Sequence, residues 1–146
     1  MKPLAKGFAK NMNAVAVDTN VVMRFLVRDD EKQWQTVCHL FQRIEQEGRS
    51  IFVSNPVVLE IFWVLEKNYA HTRGKILDTL QMLFETPIIE WESETLVDRF
   101  LELARRDKVD LSDLLIALVA EEHGSAKCLT FDKAAAKLPY FEMITT

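Results

Sequence analysis

Short apolar runs alternate along this chain with longer stretches in which apolar residues recur every three to four positions. Val15–Val17, Ile51–Val53, Ile88–Trp91, Lys127–Thr130 and Phe141–Ile144 are brief and rich in β-branched or aromatic residues, and they read as strands. Between them, Val37, Leu40, Phe41 and Ile44 fall at helical spacing and predict a helix over Thr36–Glu47. The same signature predicts helices over Val57–Tyr69, Lys75–Phe84, Thr95–Arg105 and Leu114–Glu122, with a shorter one in Val21–Leu26. Strand–helix alternation of this kind predicts a three-layer α/β/α domain with a mostly parallel central sheet of about five strands, covered on both faces. In such sheets, sites form beyond the carboxyl ends of the strands.

Four acids interrupt or directly follow the apolar runs. Asp18 ends the first strand and opens a polar triplet with Thr19 and Asn20. One helix N-cap would explain one of the three, but not all. Glu60 stands inside Val57-Val58-Leu59-Glu60-Ile61-Phe62-Trp63-Val64-Leu65. A solvated stripe shared with Glu66 or Lys67, or a buried salt bridge, would account for it, yet so apolar a helix leaves only a narrow exposed strip. Asp113 follows Ser112, which reads as an N-cap, and an acid in the first turn suits the helix dipole. Asp110, three residues earlier, lies near the same helix entrance and could support or share its site. Asp132 follows a strand and precedes Ala134-Ala135-Ala136, which predicts another helix. A cap explains Asp132 as well as a ligand role does, although it repeats the arrangement of Asp18, and Thr130 beside it offers a hydroxyl to water or phosphate. Carboxylates withdrawn from water are costly unless paired or bound to a cation, so the set points to a site for a hard divalent ion.

Composition narrows the setting. With 146 residues, 49% of them hydrophobic and 27% charged, the chain is expected to form one globular domain over residues 13–146. Residues 1–12 are expected to be a flexible extension, with Met12 an alternative start. No run reaches the roughly 20 apolar residues of a membrane span, and no secretory signal opens the chain, so a soluble, cytoplasmic protein without membrane contact is expected. Cys38 and Cys128 lie among apolar neighbours, as reduced core thiols do. A net charge of −4 argues against a protein that coats polyanions, but allows an acidic site served by local cations. Arg105-Arg106-Asp107-Lys108, Arg24 with Arg28, and the tail lysines Lys2, Lys6 and Lys10 are the candidates, each equally readable as solvated surface charge. His39, His71 and His123 lack zinc-site spacing, Ser54 and Ser112 lack a nucleophile elbow, and the four glycines compose no phosphate-binding loop.

Taken in order, Val17-Asp18-Thr19-Asn20-Val21-Val22 with Arg24-Phe25-Leu26, then Val58-Leu59-Glu60-Ile61-Phe62-Trp63-Val64-Leu65, Ser112-Asp113-Leu114-Leu115-Ile116-Ala117 and Thr130-Phe131-Asp132-Lys133-Ala134-Ala135 closely resemble the PIN-domain nucleases. Within that family the chain is similar to the VapC-type toxins of toxin–antitoxin pairs, from about Asn13 to its end. The resemblance places Asp18, Glu60 and Asp113 on the family's three main acids and Asp132 on its more variable fourth, with Asn20 and Thr130 on polar positions of the pocket. It implies endonucleolytic cleavage of RNA, such as tRNA, by water activated on Mg²⁺ or Mn²⁺, leaving a 5′-phosphate and a 3′-hydroxyl. It also implies a homodimer held inactive by a cognate antitoxin lying in an apolar groove. Trp34, Phe41, Phe62 and Trp63 could line that groove, or belong to the core. Two alternatives stay open. A haloacid-dehalogenase-like phosphatase also places Asp after its first strand, but needs a second Asp where Asn20 stands. A PIN-like module could instead bind RNA or protein without cutting.

Overall fold

The computed structural model describes residues 13–145; the expected flexible extension, the alternative start at Met12 and the three tail lysines lie outside them. Five strands and six helices follow one another as β1 (Ala14–Ala16), α1 (Thr19–Leu26), α2 (Glu31–Gln46), β2 (Ser50–Val53), α3 (Asn55–Lys67), α4 (Arg73–Phe84), β3 (Ile89–Trp91), α5 (Glu94–Arg106), α6 (Leu111–Glu122), β4 (Cys128–Thr130) and β5 (Phe141–Met143). All strand pairings are parallel. The central strand β2 pairs Ile51 with Val15 on one side and with Ile89 on the other. Ile51 and Val53 are fully buried and Phe52, pointing the opposite way, is half-buried, as expected of a strand covered on both faces.

The five expected strands are present, but hydrogen bonding divides them into a β1–β2–β3 ladder and a β4–β5 pair. Three residues offer few peptide groups to either side, and those of β4 are engaged with the β5 region: Cys128 N donates to Tyr140 O, and Ile144 N to Thr130 O, both at 2.9 Å.

Helix starts are set by caps that hydrophobic periodicity cannot register. Asp30 accepts from Gln33 N at 3.0 Å, so α2 begins at Glu31 with a wholly polar first turn, five residues before its apolar stripe gives it away. α6 starts at Leu111 because Asp110, not Ser112, is its N-cap. The alanine run after Asp132 forms only a single 3-10 turn, Ala135–Lys137. Pro139 follows too closely: the residue before a proline is driven out of the helical region, and Leu138 is extended (φ −91°, ψ 149°). At the other ends, Gly48 and Gly124 take positive φ after α2 and α6, the left-handed geometry that lets the next amides, Arg49 N and Ser125 N, reach back to Ile44 O and Ala120 O.

The core is one apolar cluster running from Val22 to Phe141. Phe100 of α5 is fully buried and stacks on Phe62 of α3 with ring centroids 5.5 Å apart, joining two helices from opposite sides of β3 in sequence. Among the described residues no helix is long and apolar enough to cross a membrane. Replacing Phe100 with Ala removes the stack and opens a cavity, with an expected loss of about 3–5 kcal/mol. Urea unfolding followed by circular dichroism measures it; a loss under about 1 kcal/mol would contradict this placement of the core.

Candidate active site

The acid at the end of β1 turns the chain into a helix. Asp18 is the N-cap of α1, its Oδ1 accepting from Val21 N at 3.1 Å, which leaves Oδ2 for other partners. The next residue reaches across to α3: Thr19 Oγ1 donates to Glu60 Oε1 at 2.8 Å. That bond spans 41 residues of sequence and fixes Glu60 beside Asp18. Thr19 was readable from sequence only as part of a polar triplet; no local pattern pairs a threonine with a glutamate so far away.

A second group forms at the entrance of α6. Asp110 Oδ1 accepts from Asp113 N at 3.0 Å, so the cap holds the backbone of the acid it accompanies. Asp113 is half-buried, and partial burial raises its carboxyl above the ordinary aspartate value, with the charges of Asp110 and Asp132 adding to the rise. Asp132 in turn is held by a tight turn: its Oδ1 accepts from Ala134 N (2.8 Å) and Ala135 N (3.2 Å), and its own N–H donates to Thr130 Oγ1 at 2.9 Å. The Thr130 hydroxyl, used there as an acceptor, keeps its proton for another partner.

The loop that carries Asp110 is clamped from outside the acid motifs. Arg73, at the start of α4, donates to Ala104 O and Asp107 O at 2.9 Å each and also to Val109 O. These carbonyls belong to the end of α5 and the stretch entering α6, where helix ends leave acceptors unpaired. A lone arginine among Thr72 and Gly74 gives no sequence signal of this task.

Thus Asp18 and Glu60 form one group, and Asp113, Asp110 and Asp132 the other. The helices α3 and α6, which carry Glu60 and Asp113, pack together and leave an apolar groove of about 270 Å³ between them, lined by Asn55, Pro56, Leu59, Leu115, Ile116 and Val119. The expectation that these acids are drawn out of water is overturned, because no polar or charged residue is buried among the described residues. Glu60 lies on the exposed strip of α3, between buried Ile61 and half-buried Leu59. Asn20 is exposed one residue beyond Thr19 and shares a shallow depression with Arg24, Gln33 and Thr36.

The donor set consists of hard oxygens, which suit Mg²⁺ or Mn²⁺. Among the described residues no three such side chains are spaced to enclose an ion on their own.

Several other candidates are engaged in structure. Arg24 pairs with Asp29, Arg105 with Asp78 and Arg106 with Asp107, while Arg28 binds Glu31 through two nitrogens and lies 3.7 Å over the Trp34 ring. Phe41 and Phe62 are core residues, and only Trp63 of the four aromatics is widely exposed, at 53%. Cys38 and Cys128 are free and half-buried.

The PIN domain family model matches residues 15–139. A VapC ribonuclease from Aquifex aeolicus (strain VF5) is 23% identical over 124 residues, which cover 85% of this chain and 91% of that protein. The family match spans every acid described above.

The folded state holds the Asp113 proton more tightly than the unfolded chain does, so stability falls as pH rises from the ordinary aspartate value of 3.8 through the raised one. Asp113→Asn removes that cost. The variant is expected to melt above the native protein at neutral pH, the difference shrinking to nothing below about pH 3.9, where the unfolded carboxyl is protonated too. Thermal melts across pH 3–8 provide the check, and equal melting at neutral pH would refute the crowding of acids at α6.

Proposed function

The chain belongs to the PIN domain family, and from that premise we propose that it is a VapC-type endoribonuclease toxin that hydrolyses RNA phosphodiester bonds with a divalent metal ion. The observation that supports this most is the bringing together of acids from separate chain segments: Thr19, next to Asp18, binds Glu60 across 41 residues of sequence, and Asp113 feels the charges of Asp110 and Asp132. The VapC ribonuclease relative agrees with it along most of both chains. The dehalogenase-like reading falls with the family match, and it left Glu60 without a role. Homodimerisation, control by a cognate antitoxin and a tRNA substrate belong to the same proposal.

Asp18, Glu60, Asp113 and Asp132 are the residues that would hold Mg²⁺ or Mn²⁺, which supplies charge reversal toward the phosphate and a lowered pKa for bound water. The remaining work is done by the chain's own contacts. The Thr19 hydroxyl holds one oxygen of Glu60 and so ties that carboxylate to the residue that follows Asp18. Asp110 sets the first turn of α6, so that Asp113 enters the site from a rigid helix. Exposed Asn20 and the free proton of Thr130 are neutral donors able to orient a water or a non-bridging phosphate oxygen. Partial burial of Asp113, with the charges of Asp110 and Asp132, disfavours its ionised form, and a bound cation would offset that cost, linking ion binding to stability.

Cleavage of a mixed RNA substrate is expected with Mg²⁺ or Mn²⁺ and is expected to stop in EDTA. Asp18→Ala and Glu60→Ala are expected to slow it by roughly 10²–10³-fold, the scale of losing one electrostatic stabiliser. The products should carry 5′-phosphates, seen by ligation to an adapter. Cleavage that persists in EDTA or in both variants would exclude the metal–carboxylate mechanism, and an inert native protein that still binds RNA would favour a non-catalytic module.

A further inference from the structure

We propose that the outward face of β4 is a stacking platform for an unpaired RNA base, with the Phe131 ring as its surface; this rests on the ribonuclease reading and adds a substrate contact to it. Phe131, directly after the end of β4, is 73% exposed, and Leu129 within the strand is 61% exposed. They are the two most exposed large apolar side chains among the described residues. Leaving a phenyl ring in water is unfavourable, and here it stands in the segment that carries two members of the candidate site, between Thr130 and Asp132.

The ring's position is set before any ligand arrives. Backbone on both sides is tied down: Thr130 O accepts from Ile144 N, Thr130 Oγ1 from Asp132 N, and Asp132 Oδ1 from two further amides. An aromatic held this way loses little freedom when a base settles on it.

Charge favours RNA over a protein as the occupant. Lys127 and Lys133 flank β4 at its two ends, both exposed, and neither forms an ion pair among the described residues. By contrast the arginines of the two sequence-derived basic groups are neutralised by acids. A flat ring bordered by free ammonium groups matches the combination that single strands present, a π-face on each nucleotide and a phosphate between neighbours. Glu142, opposite Leu129 in the β4–β5 register, is also exposed, so the apolar surface is interrupted by charge instead of continuing as a protein interface would. A base stacked on Phe131 lies beside Asp132, the next residue, whose turn is fixed by Thr130, Ala134 and Ala135. The platform would place the adjoining phosphodiester bond at the acids.

The test measures binding of short single-stranded RNA to the full-length protein in EDTA, where no cleavage occurs, against an oligomer of equal length with abasic sites. Phe131→Ala is expected to weaken binding of the base-bearing RNA by roughly 5- to 100-fold, the range of losing one base–aromatic stack, and to leave the abasic oligomer unchanged. Phe131→Leu, which keeps an apolar side chain without a ring, should resemble Phe131→Ala, whereas Phe131→Trp should restore affinity. A 2-aminopurine base should be quenched by the native protein and not by Phe131→Leu. Equal affinity of all four proteins for base-bearing RNA would overturn the proposal, as would a change of mass in sedimentation on Phe131→Ala with RNA affinity unmoved, which would assign the face to a protein partner. Cleavage by the native protein with Mg²⁺ separates the two readings: normal cleavage with no effect of Phe131 variants sinks the platform alone, and absent cleavage sinks the nuclease.

Discussion

Parallel pairing is the constraint on which everything else in this molecule depends. β1, β2 and β3 run the same way, and two parallel neighbours cannot be joined by a tight turn, so each strand must be followed by helices that carry the chain back. The passage from strand to helix therefore recurs at one edge of the ladder. Asp18 stands at that edge after β1, and α3 leaves it after β2 by way of Ser54 and Asn55. Chemistry gathers there because the topology keeps returning the chain to that place, with helix N-termini pointing toward it.

At such passages a short carboxylate has two uses at once. Asp18, Asp110 and Asp132 each spend one oxygen on an amide at the start of a helix or turn. The bond orients the side chain, and the second oxygen is left facing out. Capping and ligation, which compete as explanations when the residues are seen one at a time, need not exclude each other, because a carboxylate that caps with one oxygen keeps a second.

The α/β alternation, all five strands and the positions of the four acids were legible because periodicity and interruption are local properties of a sequence. What was not legible is of three kinds. Polar first turns are silent to hydrophobic spacing, which moved the start of α2 from Thr36 to Glu31. The range of a proline's influence was missed after the alanine run, where Leu138 is forced out of the helix. Long-range contacts were missed altogether: Thr19 to Glu60 and Arg73 to the α5–α6 connection join residues more than thirty positions apart. The burial of the acids was misjudged for a related reason. An acid inside an apolar run need only occupy the one strip of α3 that faces solvent, and Glu60 does so beside Trp63.

The clamp made by Arg73 differs in kind from the ion pairs at the surface. Its partners are three main-chain carbonyls, and carbonyls do not titrate. Acidification that protonates Asp29 or Glu31 removes the attraction those acids exert on their arginines, while the guanidinium of Arg73 keeps both its charge and its acceptors. The connection leading into α6 is in this way fastened by a device that is blind to pH, beside Asp113, whose carboxyl is held above the ordinary aspartate value.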